Sequence, residues 1–246
     1  GDKMIDIHAH LIPGVDDGSV SFFESVRMLE MACQRGVRAL VATPHSNIPI
    51  QSNYYGEWFE NCFKKLQELT KEIPITLYKG MEIYLTKDVV DLVKDNKLIT
   101  INNTRYILIE LPVFDTTHII LTNIKSIINA NLIPIIAHPE RYELFHDDTS
   151  LLMQLASQGC IFQINKGSIL GQFGATSQKL AKYMLKHGLV HVIASDAHSP
   201  YQRTTRLDEA YDYICYRYGT DYAKTLFYIN PGRILKDENI DRWGLL

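Results

Sequence analysis

The chain has 246 residues, of which 46% are hydrophobic and 22% charged, and its net charge is −3. This composition is typical of a globular protein with a sizeable core, and the weak charge gives no reason to expect nucleic-acid binding. The chain shows neither an apolar run that could cross a bilayer nor a signal-peptide pattern at its start, so we expect no membrane insertion and a cytoplasmic location.

The first predicted strand, residues 4–7, ends in two histidines that are separated by one residue. Alternate residues of a strand point to the same side, so His8 and His10 can converge on one point if the strand continues that far. A loop rich in Gly, Pro and Asp follows, and Ser21 and Glu24 then form a capping box that begins a helix. That helix is predicted to turn four residues inward: Phe22, Val26, Leu29 and Cys33.

Continuous apolar runs recur along the rest of the chain, and helical patterns separate them. Continuous rather than alternating runs favour strands that are covered on both faces, as in parallel sheets. Further strands are predicted at residues 39–43, 75–78, 106–109, 133–137, 161–164 and 190–194. Helices are predicted at residues 58–71, 89–93, 119–128, 151–156, 180–185, 207–218 and 222–227, with Phe59, Phe63, Leu66 and Leu69 inward in the first of these.

Seven strand–helix units therefore follow one another without a composition break, and they predict a mostly parallel sheet. Their number and length fit a single domain over residues 1–246, built as a seven-stranded relative of the (β/α)₈ barrel. A doubly wound open sheet is the alternative.

The four cysteines are scattered, with neither a C-x-x-C spacing nor the C-x5-R setting of a thiol phosphatase. We expect Cys33 and Cys160, which stand in apolar surroundings, to be buried thiols in a reducing compartment. No cysteine is therefore assigned a nucleophilic role.

Histidines and carboxylates follow six of the seven predicted strands: His8, His10, His45, Glu82, Glu110, His138, Asp196 and His198. In barrels of this kind the strand ends carry the active site. Each residue alone has another explanation, such as a turn residue beside proline, a solvated strand end or a helix N-cap. Together, imidazoles and carboxylates without thiolates suit Zn²⁺, Fe²⁺ or Mn²⁺ in a hydrolytic role. So many candidate ligands exceed the needs of one ion, and we expect two or three.

Arginines near these strand ends indicate a phosphate substrate. Arg141 follows His138 closely, and a guanidinium pairs bidentately with phosphate. A surface arginine paired with Glu140 or Glu143 is the alternative. Two further arginines come after the last candidate ligands and have weaker support: Arg203 and Arg206.

Four stretches together resemble the PHP superfamily (polymerase and histidinol phosphatase), and most closely its bacterial protein-tyrosine phosphatases of the capsule and exopolysaccharide type. They are I-D-I-H-A-H at 5–10 with V-D-D-G at 15–18, T-P-H at 43–45, A-H-P-E-R-Y at 137–142 and A-S-D-A-H at 194–198. The similarity runs from residue 4 to about residue 235. The resemblance implies the PHP fold, a distorted TIM-like (β/α)7 barrel, and a trinuclear centre that commonly holds manganese, with iron or zinc as alternatives.

The resemblance also implies a role for each matching residue. One ion would be held by His8, His10, Glu82 and Asp196, a second by Asp17, His45 and His198, and a third by Glu82, Glu110 and His138, with Glu82 bridging. Arg141 would bind phosphate, and Arg203 resembles a second arginine that the family uses. Asp17 enters only through the resemblance, and its neighbour Asp16 is the alternative.

The expected function is that of a metal-dependent phosphomonoesterase, most specifically a protein-tyrosine phosphatase. The family implies that its substrate is phosphotyrosine on a bacterial tyrosine kinase that regulates capsule or exopolysaccharide synthesis, attacked by a metal-activated hydroxide. The alternatives are a small-molecule phosphatase such as histidinol-phosphatase and a non-catalytic metal-containing scaffold. An amidohydrolase barrel also begins with H-x-H, but it needs a bridging lysine for which we find no candidate. The sequence leaves the partner and the oligomeric state open.

Overall fold

The structure, a computed structural model, describes residues 3–240, and parallel strands alternate with helices through this range. Its strands are β1 (Met4–Ala9), β2 (Val37–Ala42), β3 (His45–Ser46), β4 (Thr76–Lys79), β5 (Glu82–Tyr84), β6 (Tyr106–Glu110), β7 (Ile133–Ala137), β8 (Ile161–Asn165) and β9 (Val192–Ala194). Its helices are α1 (Phe22–Gln34), α2 (Glu57–Leu69), α3 (Val89–Lys94), α4 (Thr117–Asn129), α5 (Glu143–Asp147), α6 (Ser150–Ser157), α7 (Lys166–Ile169), α8 (Ala175–Lys186), α9 (Asp208–Tyr218), α10 (Thr220–Lys224) and α11 (Asn230–Leu235). The predicted α/β class with parallel pairing is confirmed. The outermost residues of the predicted domain, 1–2 and 241–246, lie outside the described residues.

The strands form two parallel sheets, with the orders β1-β2-β4 and β3-β5-β6-β7-β8-β9. The predicted strands at 39–43 and 75–78 correspond to β2 and β4. Each is followed by a short strand that was not predicted: β3 begins directly after Pro44, which has no N–H to donate to a ladder, and β5 begins at Glu82. Between β1 and the segment after β9, the structure forms an isolated parallel bridge from Ala9 to Ala197. Within residues 3–240, the ladders therefore form two open sheets and not the closed barrel expected from the sequence.

Both faces of the strands are buried, which explains the continuous apolar runs. On β6, Leu108 belongs to a smaller apolar cluster that also contains Ile135 from β7. Its neighbours Ile107 and Ile109 belong to the larger cluster that includes the helices. The alternation of side chains along a strand thus places every second residue in a different part of the core.

Helix α1 begins as predicted, because the Ser21 hydroxyl accepts the Glu24 N–H at 3.2 Å. Its predicted inward face is confirmed at Leu29, which is buried, while Phe22 and Val26 are partly buried and pack against the larger core cluster. Cys33 is only partly buried, and the buried face also includes Met28 and Ala32, which were not predicted. Ser25 lies on the same buried face, where its hydroxyl donates to the Leu11 carbonyl at 2.6 Å.

Two smaller expectations also change. Leu69, at the end of α2, is 49% exposed, although Phe59, Phe63 and Leu66 are buried as predicted. The four cysteines, all of them within the described residues, form no disulfide, and only Cys160 is buried, whereas Cys33 is not. None of the helices in the described range is long and apolar enough to span a membrane.

Candidate metal centre

The nine predicted ligands meet around one cleft, where most of them lie at or just after the carboxyl end of a strand, and His45 and Glu82 begin the short strands that follow β2 and β4. Strand β1 and the residues after it contribute His8, His10 and Asp17; β3 contributes His45; β5 and β6 contribute Glu82 and Glu110; the ends of β7 and β9 contribute His138, Asp196 and His198. In parallel sheets the carboxyl ends of the strands share one edge, so residues far apart in sequence meet there.

Glu82 lies at the centre of the cluster and is fully buried. Its Oε1 lies 3.2 Å from Nε2 of His8, from Nε2 of His10 and from Nδ1 of His45. Its Oε2 lies 3.0 Å from Nε2 of His138. A single carboxylate that faces four imidazoles has the geometry of a ligand shared between ions.

Asp196 closes the cluster on the β9 side. Its Oδ1 lies 3.1 Å from Nε2 of both His8 and His10. Its Oδ2 accepts hydrogen bonds from Asn165 Nδ2 at 2.9 Å and from Arg203 Nη2 at 2.8 Å. The carboxylate thus connects the candidate ligands on β1 with an arginine at the cleft.

The two adjacent aspartates, Asp16 and Asp17, have different environments. Asp17 Oδ1 lies 3.3 Å from His198 Nε2 and 3.4 Å from His45 Nε2, on the solvent side of the cluster. Asp16 lies behind the cluster, where its Oδ2 accepts from His10 Nδ1 at 2.9 Å. The geometry therefore offers Asp17 as a ligand and Asp16 as the residue that orients His10.

Three groups of ligand atoms lie close enough to hold an ion, with all atoms of a group within 4.8 Å of one another. They are His8, His10, Glu82 and Asp196; His10, Asp17, His45 and His198; and His45, Glu82 and Glu110. The first group matches the set implied by the resemblance, and the second adds His10 to it. The third has His45 where the resemblance has His138, whose Nε2 lies 3.8 Å from Glu110 Oε2.

Two arginines line the cleft, which has a volume of about 360 Å³. Arg203 Nη2 lies 2.8 Å and Arg141 Nη1 lies 4.0 Å from Asp196 Oδ2. Arg206 is exposed, and its carbonyl accepts from Lys166 Nζ at 2.6 Å. The structure thus places Arg203, and not Arg206, at the candidate centre.

Comparison with known proteins identifies the family to which this arrangement belongs. The family model for capsular polysaccharide synthesis proteins, CpsB/CapC, matches residues 4–236. The chain belongs to the CpsB/CapC family.

Members of the CpsB/CapC family resemble this chain over nearly its full length. The tyrosine-protein phosphatase CpsB of Streptococcus pneumoniae is 35% identical over 244 residues, which cover 96% of this chain and 100% of the relative. The tyrosine-protein phosphatase YwqE of Bacillus subtilis is 32% identical over 240 residues and 97% of this chain, covering 94% of the relative. A solved structure from work on these two proteins, described as unique metal-dependent tyrosine phosphatases, matches with a TM-score of 0.89 and 31% identity over 98% of each chain.

Two histidines of this CpsB/CapC family member are oriented as metal ligands usually are. His8 Nδ1 donates to Gln163 Oε1 at 2.7 Å, and His198 Nδ1 donates to the Asp196 carbonyl at 2.8 Å. Such bonds fix the tautomer and leave the Nε2 lone pair for a cation. Among residues 3–240, neither His8 Nε2 nor Glu82 Oε1 has a hydrogen-bond partner, although both are buried and they face each other at 3.2 Å. Two buried ligand atoms that face each other without a hydrogen bond fit a site for a divalent cation.

Several residues that support the centre were missed by the sequence reasoning. Gln163 and Asn165 lie on β8, which corresponds to the one predicted strand that no candidate ligand follows, and they contact His8 and Asp196. Asp6 is buried under the centre, where its Oδ1 accepts the Ser195 N–H at 3.1 Å. The sequence feature that could have revealed them is a polar side chain inside an otherwise apolar strand, because a buried polar group needs a hydrogen-bond partner.

Three residues at the cleft have positive φ angles: His138 at 35°, Asp196 at 48° and Arg203 at 48°. A left-handed conformation costs an L-residue about 1–2 kcal/mol, so the surrounding structure must hold it. The Asp196 N–H donates to the His8 carbonyl at 2.8 Å, and the His198 N–H donates to the Arg203 carbonyl at 2.9 Å. These bonds fix the chain after β9 in the conformation that aims its side chains into the cleft.

Burial and neighbouring charges shift the protonation of the cluster. Burial opposes the charge on His8, but Asp196 and Glu82 raise the pKa of this histidine to about 9. Burial and the Glu82 carboxylate raise the pKa of Glu110 to about 7. Burial also opposes the charge of Glu82, yet His8 and His45 hold the pKa of Glu82 well below its usual value. Cations that bind here must therefore displace protons, as is general for histidine and carboxylate sites.

We expect Asp16→Asn to weaken metal binding about 10- to 100-fold, because a partner that orients a ligating histidine typically contributes that much. Asp17→Asn should instead remove one ion per chain, because it neutralises a ligand candidate. Elemental analysis of the dialysed variants and titration with Mn²⁺ would measure both effects, with the exposed Asp95→Asn as control. If Asp16→Asn lost a whole ion while Asp17→Asn lost none, the two roles would be reversed.

Proposed function

We propose that the chain is a metal-dependent tyrosine-protein phosphatase. The observation that carries this proposal is the cluster of nine histidines and carboxylates with two arginines on the same cleft. The relatives named as tyrosine-protein phosphatases support the choice of substrate, since they match this chain along nearly its whole length.

The roles of the side chains follow from their positions. The proposed ligands are His8, His10, Asp17, His45, Glu82, Glu110, His138, Asp196 and His198. Bound divalent ions would lower the pKa of water to about 7 and stabilise the charge of the phosphoryl oxygens. Nitrogen and oxygen ligands without sulfur are compatible with manganese, which we propose as the metal, with iron or zinc as alternatives.

Arg141 and Arg203 bind the phosphoryl oxygens in this proposal, because a guanidinium offers a planar pair of donors to them. Tyr84, Leu111 and Val113 line the same cleft and offer a surface for an aromatic ring. The phenol of tyrosine has a pKa of about 10, so it leaves more readily than an alkoxide and needs less help from an acid. No residue has to form a covalent intermediate with the phosphoryl group.

The finer description of the fold belongs to the same proposal. We assign residues 1–246 to a single PHP domain whose strands follow the course of a distorted TIM-like (β/α)7 barrel. Backbone bonds between β1 and the end of β9 support this assignment, since the Asp196 N–H donates to the His8 carbonyl and the His10 N–H donates to the Ala197 carbonyl, both at 2.8 Å.

The proposed partner is a phosphotyrosine-containing protein, namely a bacterial tyrosine kinase that regulates capsule or exopolysaccharide synthesis in the cytoplasm. The CpsB/CapC family description and the names of the relatives support this choice. The two arginines that line the cleft also suit a phosphopeptide, because Arg141 and Arg203 attract its phosphate.

Hydrolysis assays on the metal-stripped protein would test the proposal. We expect a phosphotyrosine peptide to be hydrolysed only after Mn²⁺ is added, and the His138→Ala variant to remain inactive. Faster hydrolysis of histidinol phosphate would favour a small-molecule phosphatase. Ions bound without any turnover would favour a scaffold. Loss of activity on cysteine alkylation but not on chelation would contradict the proposal.

A further inference from the structure

Phe173 lies in the loop between α7 and α8, beside both arginines of the cleft. The Arg141 guanidinium carbon lies 4.1 Å from the centre of the Phe173 ring, and the Arg203 guanidinium carbon lies 5.1 Å from it. Both distances are within the range of cation–π attraction. One aromatic ring therefore contacts the two cationic side chains that face the candidate centre.

Gly167, the second residue of α7, provides the space that this ring occupies. A Cβ atom at Gly167 would lie 2.7 Å from Phe173 Cε2 and 2.9 Å from Gln172 Oε1. The Gln172 N–H also donates to the Gly167 carbonyl at 2.8 Å, which holds the loop against α7. The position of the ring thus depends on the absence of a side chain at residue 167.

One carboxylate also lies close to both arginines. Asp196 Oδ2 lies 2.8 Å from Arg203 Nη2 and 4.0 Å from Arg141 Nη1. Among the described residues, the buried Arg203 Nε has no hydrogen-bond partner. An aromatic ring contacts the face of a planar guanidinium and leaves the N–H groups at its edge available for an anion.

We propose that Phe173 is a positioning residue that holds Arg141 and Arg203 in the orientation that binds the phosphoryl group of the substrate. The inference rests on the proposed function for the identity of that group. It adds a residue outside the metal ligands and arginines, and it gives Gly167 a reason to be glycine.

Binding of inorganic phosphate to the Mn²⁺-loaded protein, measured by calorimetry, is the first test. Each cation–π contact at a partly exposed site contributes about two- to fivefold to an equilibrium constant, so Phe173→Leu should weaken phosphate binding about tenfold. Phe173→Tyr keeps the ring and should retain the affinity. Metal content and melting temperature should stay unchanged in both. The control is Tyr183→Leu, which removes a ring from α8 that contacts His187.

The second test is a double-mutant cycle with Gly167→Ala. This change should weaken phosphate binding in the wild-type background, because the new methyl group displaces the ring. In the Phe173→Ala background it should have little further effect. The control is Gly232→Ala, whose Cβ would meet Ile5 Cδ1 at an ordinary 3.5 Å.

Each outcome separates this inference from the proposed function. Unchanged phosphate affinity in Phe173→Leu, equal effects of Gly167→Ala in both backgrounds, or no phosphate binding by the loaded wild type would overturn the inference. If the wild type bound phosphate with the expected variant effects but hydrolysed no phosphotyrosine peptide, the proposed function would fail and the positioning role would stand.

Discussion

Replacement of Glu82 by glutamine is expected to abolish hydrolysis of a phosphotyrosine peptide and to release bound metal. Glu82 faces His8, His10, His45 and His138 at 3.0–3.2 Å, so its charge acts on every part of the cluster. Loss of a ligand shared between ions should lower kcat by about 10³-fold or more, equivalent to about 4 kcal/mol of lost transition-state stabilisation.

Two measurements should change together in Glu82→Gln: the number of ions per chain and kcat at saturating Mn²⁺. Glu24→Gln provides a matched control, because Glu24 is also a buried carboxylate but lies on α1, outside the cleft. Full activity in Glu82→Gln with an unchanged ion count would refute a bridging role for this residue.

Replacement of Arg141 should lower activity without releasing metal. Arg141→Ala removes the guanidinium that we place on the phosphoryl oxygens, and we expect kcat/KM to fall about 10²- to 10³-fold, the usual cost of removing one preorganised donor. Arg141→Lys should recover only part of this loss, since an ammonium keeps the charge but not the planar pair of donors.

The control for Arg141 is Arg206→Ala, which removes an exposed arginine that does not line the cleft. It should leave kcat/KM within about twofold of the wild type, because surface substitutions usually have small effects. Elemental analysis of both variants would show whether the ions remain. Equal losses in Arg141→Ala and Arg206→Ala would argue against a local contact with phosphate.

Most of the centre could be predicted from the sequence, because parallel strands place their carboxyl ends at one edge. His45, Glu82 and Glu110 are distant in sequence, yet the rule that each follows an apolar strand was sufficient to bring them together. The prediction of Asp17 as a ligand required the resemblance. A loop rich in Gly, Pro and Asp has no regular periodicity, so the direction of its side chains cannot be inferred from their spacing. The choice of Arg203 over Arg206 also required the resemblance, because both arginines follow the last candidate ligands and their spacing does not distinguish them.

The remaining differences have physical causes that local patterns do not contain. The buried face of α1 includes Ser25, whose hydroxyl bonds to the Leu11 carbonyl, and an apolar pattern cannot include such a polar residue. Strand breaks at Pro44 and before Glu82 decide how the sheets are divided, and they depend on pairing between distant segments. Gln163 was overlooked because the search considered only histidines and carboxylates, whereas Gln163 acts through a hydrogen bond to His8.

The division of the strands has a consequence for how the protein holds together. His8 lies on β1 of the three-stranded sheet and His10 directly follows that strand, whereas His45, Glu82 and Glu110 belong to the six-stranded sheet. The candidate ions would therefore lie between the two sheets, and their binding free energy would stabilise the contact between these sheets. Removal of the ions should weaken the contact between the two sheets before either sheet unfolds, so the metal centre would also stabilise the fold.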